Sequence, residues 1–409
     1  MTKIRDIRAY VRAGTEGARQ QPGGRPTGFA ADVPWVERPI ASPLSVYPGH
    51  DLRTVSGPAW VGDVVVEVES DDGATGVAVS VGGRAASWVV EDHLAHVLLG
   101  EPLDTPWDIE RAWDRMWRCS QFYGRRGVVL HALSAVDLAL WDLLGIQRDQ
   151  PVIALLGGPC RDTVEYYATS PDAAGAQRAG FLGGKLPLPY GAGAGSSGLE
   201  ADIEYFAAAR DAVGDDFFLA YDCWMALDED SAGRLAVGLL PYRPRWLEEC
   251  LMPDDYEGYS RLRSVVPSGI ALASGEHEGT RWGFRVLAGT GALQLAQPDP
   301  TWCGGLTELK RIVSDCEARG IPVVCHGSSA YALHPSAAWT GIPMAECIMG
   351  GGAGDVATPF FGDLFETEPI PRAGSIDVSS LTAPGFGLRL SSDALLVRPT
   401  RHDEPRTSR

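Results

Sequence analysis

Three carboxylates each stand at the end of a short apolar segment. Asp222 ends FFLAYD, Glu248 lies in WLEEC, and Glu276 ends IALASGE. If these segments are neighbouring parallel strands, their carboxyl ends share one edge of a sheet and bring the three side chains together. Three desolvated carboxylates would repel one another and raise their own pKa values, which a bound divalent cation prevents. Because all the ligands are oxygens, the sequence predicts a Mg²⁺ site.

A carboxylate and a histidine end the next two apolar segments. Asp299 ends LQLAQPD and His326 ends IPVVCH, and Lys185 and Glu346 lie on two further segments of the series. A carboxylate on one imidazole nitrogen fixes the tautomer and makes the other nitrogen a better base. A base beside a metal suits removal of the proton next to a substrate carboxylate, because the metal stabilises the enediolate that results.

Each of these residues has a structural alternative. A single Asp or Glu at a strand end is more often a helix cap or a loop ion pair than a ligand. His326 alone could be a buried histidine with satisfied hydrogen bonds. The recurrence of carboxylates on successive segments and the spacing of Asp299 from His326 favour the functional interpretation. His93 and His96 lie on one predicted helix without a third ligand, so we expect them at the surface.

Eight apolar segments separated by helical stretches carry these residues. They recur roughly every 20 to 30 residues, as repeated βα units do. The segments are VEYYATS, GFLGGKLP, FFLAYD, PRWLEEC, IALASGE, LQLAQPD, IPVVCH and MAECIM. The pattern predicts a closed α/β barrel with its chemistry at the carboxyl ends of the strands.

The chain before about residue 160 has a different pattern. WVGDVVVEVESDDGATGVAVSVGG predicts a β-hairpin around a DDG turn. VLHALSAVDLALWDLLG predicts a helix with one apolar stripe that stops at Gly145. Residues 14–29 are rich in Gly, Arg and Gln, which predicts a mobile loop. Strands followed by helices indicate an α+β first domain.

Composition limits the class of partner. The 409 residues are 45% hydrophobic and 22% charged, which is ample for a large core. The formal net charge of −18 disfavours nucleic acid and anionic membranes as partners. The eight cysteines form no CxxC pair, so neither a zinc site nor a disulfide framework is indicated. The first residues contain no apolar signal segment, and we expect a cytoplasmic protein.

Several motifs together resemble the enolase superfamily, in its mandelate racemase branch and within it the L-rhamnonate dehydratase group. They are SAVDLALWDL, GFLGGK, DCWMALD, WLEEC, SGEHEGTRWGFR, QPDPTWCGG, VCHGSS and PGFG. The resemblance runs from about Pro34 to Pro399. It implies a (β/α)₇β modified TIM barrel over residues 161–365 and an α+β capping domain over 1–160. Residues 366–409 would return to the capping domain and end in a polar tail.

The resemblance also implies roles for individual residues. Asp222, Glu248 and Glu276 would bind Mg²⁺, and His326 with Asp299 would be the catalytic dyad. In the resembling group one histidine takes the α-proton of a sugar acid and returns a proton to the departing 3-hydroxyl, giving a 2-keto-3-deoxy acid. The expected partner is therefore a small-molecule sugar acid, and a homo-oligomer is expected. The residues implied in substrate binding are Arg53, Lys185, His277 and Glu346; His277 and Trp302 could instead pack beneath the pocket.

Three departures from the family pattern bear on the substrate. Racemases of this branch carry Lys-x-Lys on the second strand, whereas Pro187 stands in the second position here, so two-base racemisation is disfavoured. Pro34 and the LPLPYG segment stand where the L-rhamnonate enzymes have histidines. We therefore expect a related aldonate, such as the five-carbon L-lyxonate, to be dehydrated at least as efficiently as L-rhamnonate. The stretch YGAGAGSSG (190–198) could be an active-site flap or only a connector.

Other classes of function stay open at this stage. An acid-sugar epimerase is weakened by the missing second lysine, and a barrel metal hydrolase by the lack of HxH in VEYYATS. A relative that binds metal without turnover is a further alternative. Exchange of the α-proton in deuterated water separates it from an enzyme, since exchange needs the base and the metal but no leaving group.

Overall fold

The structure is a computed structural model that describes residues 1–13, 35, 40–48, 61–402 and 404–406. The predicted loop at 14–29 and the residues Pro34 and Arg53 lie outside these ranges.

Two β-sheets organise the described part of the chain. In chain order the strands are β1 (Ile4–Arg12), β2 (Asp63–Ser70), β3 (Thr75–Val81), β4 (Thr163–Thr169), β5 (Gly183–Pro187), β6 (Phe218–Asp222), β7 (Trp246–Glu248), β8 (Ala271–Ser274), β9 (Leu295–Ala296), β10 (Ala345–Ile348), β11 (Ser375–Asp377), β12 (Leu396–Arg398) and β13 (Glu404–Pro405).

Helices pack on both sheets. Within the described ranges the α-helices are α1 (Gly83–Asp92), α2 (Pro106–Ser120), α3 (Val128–Gln147), α4 (Val152–Leu155), α5 (Ala173–Arg178), α6 (Gly195–Val213), α7 (Glu229–Leu239), α8 (Tyr256–Val265), α9 (Thr280–Gly289), α10 (Gly305–Glu317) and α11 (Ala330–Ala338). Short 3₁₀ turns occur at Pro43–Val46, Leu94–Val97, Ala192–Ala194, Leu240–Tyr242, Val378–Ser380 and Pro399–Arg401.

The first sheet is antiparallel, in the order β13-β12-β1-β2-β3. The predicted hairpin is present, since β2 and β3 pair from Asp63 opposite Val81 to Glu69 opposite Thr75. Strand β12 comes from the end of the chain and pairs with β1, where Val11 lies opposite Val397. The first and last parts of the sequence therefore share one sheet.

Helix α3 is the core helix of the N-terminal part. It is buried on almost all sides between Val129 and Gly145, so the predicted single apolar stripe is wrong. The predicted stop at Gly145 is also wrong, because the helix continues to Gln147. A Cβ at Gly145 would lie 2.7 Å from the Cα of Gly385, so close approach of the C-terminal segment requires the glycine. The helix is long and apolar enough to cross a membrane, but 89% of its 18-residue apolar stretch is buried inside the fold.

The second sheet is the predicted barrel. Strands β4 to β9 pair in parallel with their chain neighbours, and β10 pairs in parallel with β4. The predicted seventh strand, IPVVCH, is reduced to a parallel bridge between Ala296 and Val323. Pro322 has no backbone N–H to donate, which limits the ladder there. Strand β11 adds to β4 in the antiparallel direction.

Buried hydrogen bonds join the first helices to the barrel beside the strand ends. Trp113 Nε1 donates to the carbonyl of Gly304 at 2.6 Å, and the Gly304 N–H donates to Ser134 Oγ at 2.9 Å. Ser80 Oγ, on β3, donates to the carbonyl of Thr301 at 2.6 Å. The turn that follows Asp299 is therefore fixed by hydrogen bonds from β3, α2 and α3 of the N-terminal part.

Candidate active site

Lys185 lies among carboxylates from three other strands. Its ammonium is 1% exposed and contacts Glu248 Oε1, Glu346 Oε1 at 2.9 Å and Asp222 Oδ2 at 3.6 Å. Asp222 and Glu248 are directly opposite each other in the β6–β7 pairing. The barrel geometry thus gathers the predicted strand-end residues, as expected from their positions in the sequence.

Two carboxylates compete for the one ammonium. Burial raises the pKa of Glu248 to about 8, and the neighbouring Asp222 and Glu346 add to the rise although Lys185 opposes it. Burial also acts to raise the pKa of Glu346, but Lys185 and His326 lower it to about 2. Glu346 accepts further hydrogen bonds, from the Thr169 hydroxyl and from the Gly327 N–H at 2.8 Å. Glu346 is therefore held by Lys185 and by two further donors.

The second oxygen of Glu248 is held by two donors that sequence reasoning missed. Gln297 Nε2 donates to Glu248 Oε2 at 2.6 Å, and Trp246 Nε1 donates to the same oxygen at 2.9 Å. The sequence spacing could have indicated both donors, because side chains two residues apart on a strand share a face. Trp246 precedes Glu248 by two residues, and Gln297 precedes Asp299 by two.

Glu276 stands between two imidazoles. Its Oε1 lies 3.5 Å from His326 Nε2 and 3.9 Å from His277 Nε2. Its Oε2 is buried and has no hydrogen-bond partner within the described residues. An ionised oxygen enclosed in this way is costly unless a cation or a donor contacts it.

His326 and Asp299 form the predicted pair. His326 Nδ1 donates to Asp299 Oδ2 at 2.8 Å. Asp299 Oδ1 accepts from the Thr301 N–H and hydroxyl, both at 2.6 Å, and from Ser328 Oγ at 2.7 Å. Burial acts to lower the pKa of His326, but Glu276 and the hydrogen bond to Asp299 raise it to about 10. With Nδ1 bonded to Asp299, Nε2 is the nitrogen that faces Glu276.

A second imidazole–carboxylate pair lies on the other side of Glu276. His277 Nδ1 donates to Glu249 Oε2 at 3.1 Å, and Glu249 Oε1 accepts from Ser274 Oγ at 2.8 Å and the Gly275 N–H at 2.9 Å. Burial acts to lower the pKa of His277, whereas Glu276 and Glu249 raise it above its usual value. Glu249 therefore fixes His277 and is directed away from Lys185.

The side chains as placed do not form a closed metal-ligand set. Among the described residues no group of three His, Cys, Asp or Glu side chains converges on one point, and Lys185 lies between Asp222 and Glu248. The chemistry of the donors nevertheless fits Mg²⁺, because three buried carboxylates stand on adjacent strand ends and Glu276 Oε2 lacks a partner. The assignment of Asp222, Glu248 and Glu276 as ligands stays a prediction.

The other predicted residues separate into two groups. Lys185, His277 and Glu346 all lie in this cluster, whereas Arg53 is outside the described residues. The LPLPYG segment leaves β5 at Pro187, and the Leu188 N–H donates to the carbonyl of Asp222 at 2.9 Å. Leu188 is buried in the hydrophobic core, so the segment begins with an apolar side chain directly after β5.

Comparison with known protein families fits this geometry. The description "Enolase C-terminal domain-like" matches residues 172–394, and "Mandelate racemase / muconate lactonizing enzyme, N-terminal domain" matches residues 54–157. The chain belongs to the enolase superfamily. The predicted fold class, a barrel with an α+β capping domain, is thereby confirmed.

Relatives within this superfamily include sugar-acid enzymes. An L-rhamnonate dehydratase of Saccharopolyspora erythraea is 43% identical over 402 residues, covering 98% of this chain and 100% of the relative. A rhamnonate dehydratase structure from Gibberella zeae in complex with Mg has a TM-score of 0.88 at 35% identity, covering 96% of this chain and 95% of that one. A 3,6-anhydro-D-galactonate cycloisomerase from Zobellia galactanivorans is more distant, with a TM-score of 0.73 at 27% identity, covering 99% of this chain and 100% of that one. The Mg²⁺ prediction is confirmed at the level of this superfamily.

Proposed function

We propose that this protein is a hydro-lyase that dehydrates a sugar acid (aldonate) to a 2-keto-3-deoxy acid. The observation that carries the proposal is the position of His326, whose Nδ1 is bonded to Asp299 while its Nε2 lies 3.5 Å from Glu276. A base supported by a carboxylate therefore adjoins a cluster of oxygen ligands. The relatives named as L-rhamnonate dehydratases support the same reaction class.

His326 is the proposed base, and it acts in its neutral form. Burial acts to lower the pKa of His326, but without Mg²⁺ the charge of Glu276 raises it to about 10, and bound Mg²⁺ would offset that charge. The Nε2 of His326 takes the proton from C2 of the substrate, and Asp299 stabilises the imidazolium that forms. The same imidazolium then gives a proton to the departing 3-hydroxyl, which leaves as water. The enol that remains takes a proton at C3, loses the proton of its C2 hydroxyl and so becomes the 2-keto-3-deoxy acid.

Asp222, Glu248 and Glu276 are the residues proposed to hold Mg²⁺. When bound, Mg²⁺ would stabilise the negative charge that develops on the substrate carboxylate and offset the charge of Glu276 beside the base. Gln297 and Trp246 keep Glu248 in place through its second oxygen. These two hydrogen bonds fix the orientation of the Glu248 carboxylate, so it need not rearrange when the metal binds.

Lys185 does not fit the role of a second base. Its ammonium is buried in ion pairs with Glu248 and Glu346, and these carboxylates raise its pKa well above the usual value although burial opposes them. An ammonium engaged by two carboxylates is poorly placed to accept a proton from the opposite face of the substrate. The ion pairs of Lys185 with Glu248 and Glu346, together with Pro187 in place of a second lysine, support dehydration over epimerisation.

The substrate is proposed to be L-rhamnonate or a closely related aldonate. The buried Leu188 and the two prolines beside it offer fewer hydrogen bonds than histidines would. A site that hydrogen-bonds a hydroxyl rejects analogues without it, whereas an apolar wall discriminates weakly. We therefore propose that L-lyxonate is dehydrated at least as efficiently as L-rhamnonate.

The test is a measurement of kcat/KM over a stereochemically complete panel of five- and six-carbon aldonates with Mg²⁺, reading 2-keto acid formation. Exchange of the C2 proton in deuterated water is followed in parallel. Exchange without dehydration on every aldonate would contradict the dehydratase, and the absence of both would contradict the whole proposal. A clear preference for L-rhamnonate over all other acids would reject only the substrate assignment.

A further inference from the structure

The indole of Trp302 is surrounded by three imidazoles. The ring centroid of Trp302 lies 5.2 Å from that of His326, 5.7 Å from His277 and 5.8 Å from His131. His326 and His277 each have a carboxylate on Nδ1. His131 is the third imidazole, and the mechanism described above does not use it.

His131 reaches this group from the capping part of the chain. It stands in the first turn of α3, which begins at Val128, and the residue is partly exposed. Its Nδ1 is enclosed and has no hydrogen-bond partner within the described residues. The edge of the ring that a ligand can reach therefore carries Nε2. Helix α3 is fixed to the barrel through Ser134 and Gly304, so the ring has a defined position.

The charge state of His131 limits what it can bind. Burial lowers its pKa to about 4, although the nearby charge of Asp299 acts in the opposite direction. At neutral pH the ring is therefore an uncharged imidazole with one donor and one acceptor. Nδ1 is enclosed, so a hydrogen on Nδ1 would be a buried donor without an acceptor. With the hydrogen on Nε2 instead, the only unsatisfied group at Nδ1 is a lone pair. A neutral N–H donor suits a hydroxyl oxygen better than it suits a carboxylate, for which a cation is preferred.

We infer that His131 is a substrate-binding residue whose Nε2 donates a hydrogen bond to a hydroxyl of the aldonate beyond C3. The inference rests on the proposed function, since it places the reacting C2 at His326. His326 and His131 both lie against the indole of Trp302, at 5.2 Å and 5.8 Å between ring centroids. His326 comes from the barrel and His131 from the capping part of the chain, so we place His131 against the part of the substrate distal to the reacting carbon.

The test compares wild type with His131→Phe. Phenylalanine keeps an aromatic ring against Trp302 and removes both nitrogens, while no hydrogen bond within the described residues is lost. The substrates are the best aldonate and its analogues with the hydroxyl removed at C4 or C5 in turn. His96→Phe, at an exposed position of the same part of the chain, is the matched control.

For one hydrogen bond we expect His131→Phe to lower kcat/KM on the full aldonate by roughly 5- to 10-fold. The same variant should leave kcat/KM unchanged on the one analogue that lacks the contacted hydroxyl. His131→Asn, whose shorter amide does not reach the same point, should repeat this pattern and serves if the Phe variant does not fold.

Equal constants for wild type and both variants on every substrate would overturn the inference. An equal loss of kcat/KM on all the substrates, including every deoxy analogue, would also overturn it. That result would mean that His131 acts only by packing against Trp302. A wild type that neither exchanges the C2 proton nor dehydrates any aldonate would overturn the proposed function itself. The two failures are therefore distinguishable.

Discussion

His326 Nδ1 lies 2.8 Å from Asp299 Oδ2, and the other Asp299 oxygen is bonded by Ser328 and by Thr301. This arrangement leaves the carboxylate no freedom to rotate away from the imidazole. It also leaves Nε2 as the ring nitrogen that faces Glu276, 3.5 Å from Oε1.

The first prediction concerns this pair. His326→Asn should lower both dehydration and C2 proton exchange by about 10²- to 10⁴-fold, because one group serves both steps. Asp299→Asn should have a smaller effect, since it changes the orientation and basicity of the ring without removing it. Steady-state kinetics and exchange followed by NMR measure both, with His96→Asn as the exposed control. Exchange that survived in His326→Asn would require another base.

The second prediction concerns the metal. Glu276→Gln keeps the shape of the side chain and removes one anionic oxygen, so affinity for Mg²⁺ and kcat should fall together. Titration calorimetry with Mg²⁺ and turnover assays give the two quantities. Glu257→Gln, on the exposed face of α8, should change neither. Full turnover in a thoroughly chelated sample would reject the site.

The third prediction concerns Lys185. Lys185→Met removes the only ammonium that the structure places against Glu248, Glu346 and Asp222 within the described residues. Breaking a buried ion pair on one side costs about 3–5 kcal/mol of unfolding free energy. Denaturant unfolding in chelator should show this loss, whereas Lys310→Met on the surface should cost little. An unchanged midpoint for Lys185→Met would contradict the ion-pair description.

The fourth prediction concerns Asp142, which joins three distant segments. From α3, its carboxylate accepts the N–H of Val77 at 2.9 Å and of Phe386 at 2.8 Å. Asp142→Ala leaves the buried Phe386 N–H and the partly buried Val77 N–H without partners, at about 1–3 kcal/mol each. Unfolding by urea should report the loss, with Asp211→Ala on the exposed face of α6 as control. Equal stabilities of the two variants would show that the C-terminal segment does not depend on this residue.

The fifth prediction is a pH dependence of stability from His334. Its Nδ1 accepts the N–H of Ile153 at 3.0 Å, which a protonated ring cannot do, and burial lowers its pKa to about 4. The unfolded chain takes up the proton near pH 6.5, before the folded chain does. Stability should therefore fall as pH drops from 6.5 to 4, by about 3 kcal/mol from this group.

The measurement for His334 is the difference in unfolding free energy between wild type and His334→Asn across this pH range. The asparagine oxygen can still accept a hydrogen bond but does not titrate, and the other ionisable groups cancel in the difference. A constant difference from pH 6.5 to 4 would contradict the buried neutral histidine.

Some earlier predictions remain untested. The domain boundaries at 160 and 365, the cytoplasmic location and the homo-oligomeric state stay predictions. The assignment of individual residues to metal, base and substrate also awaits the variants above.

Local order in the sequence was enough to place the strand-end residues. Apolar segments that end in Asp222, Glu248 and Glu276 predict strands whose last residues share one edge, because a parallel barrel brings all its carboxyl ends to one face. The same argument predicted the contact between Asp299 and His326. These features depend on short-range periodicity, which a single sequence contains.

Only the tertiary structure decided which partners these side chains find across the chain. Lys185 meets Glu346 because β4 lies between β5 and β10, a neighbour relation set by the pairing of β10 with β4. Helix α3 continues past Gly145, where Gly385, a residue far along the chain, approaches too closely for a side chain. His131 likewise meets Trp302 only when α3 docks on the barrel. Such contacts depend on long-range packing and hydrogen bonding, for which the spacing of residues within one segment carries no signal.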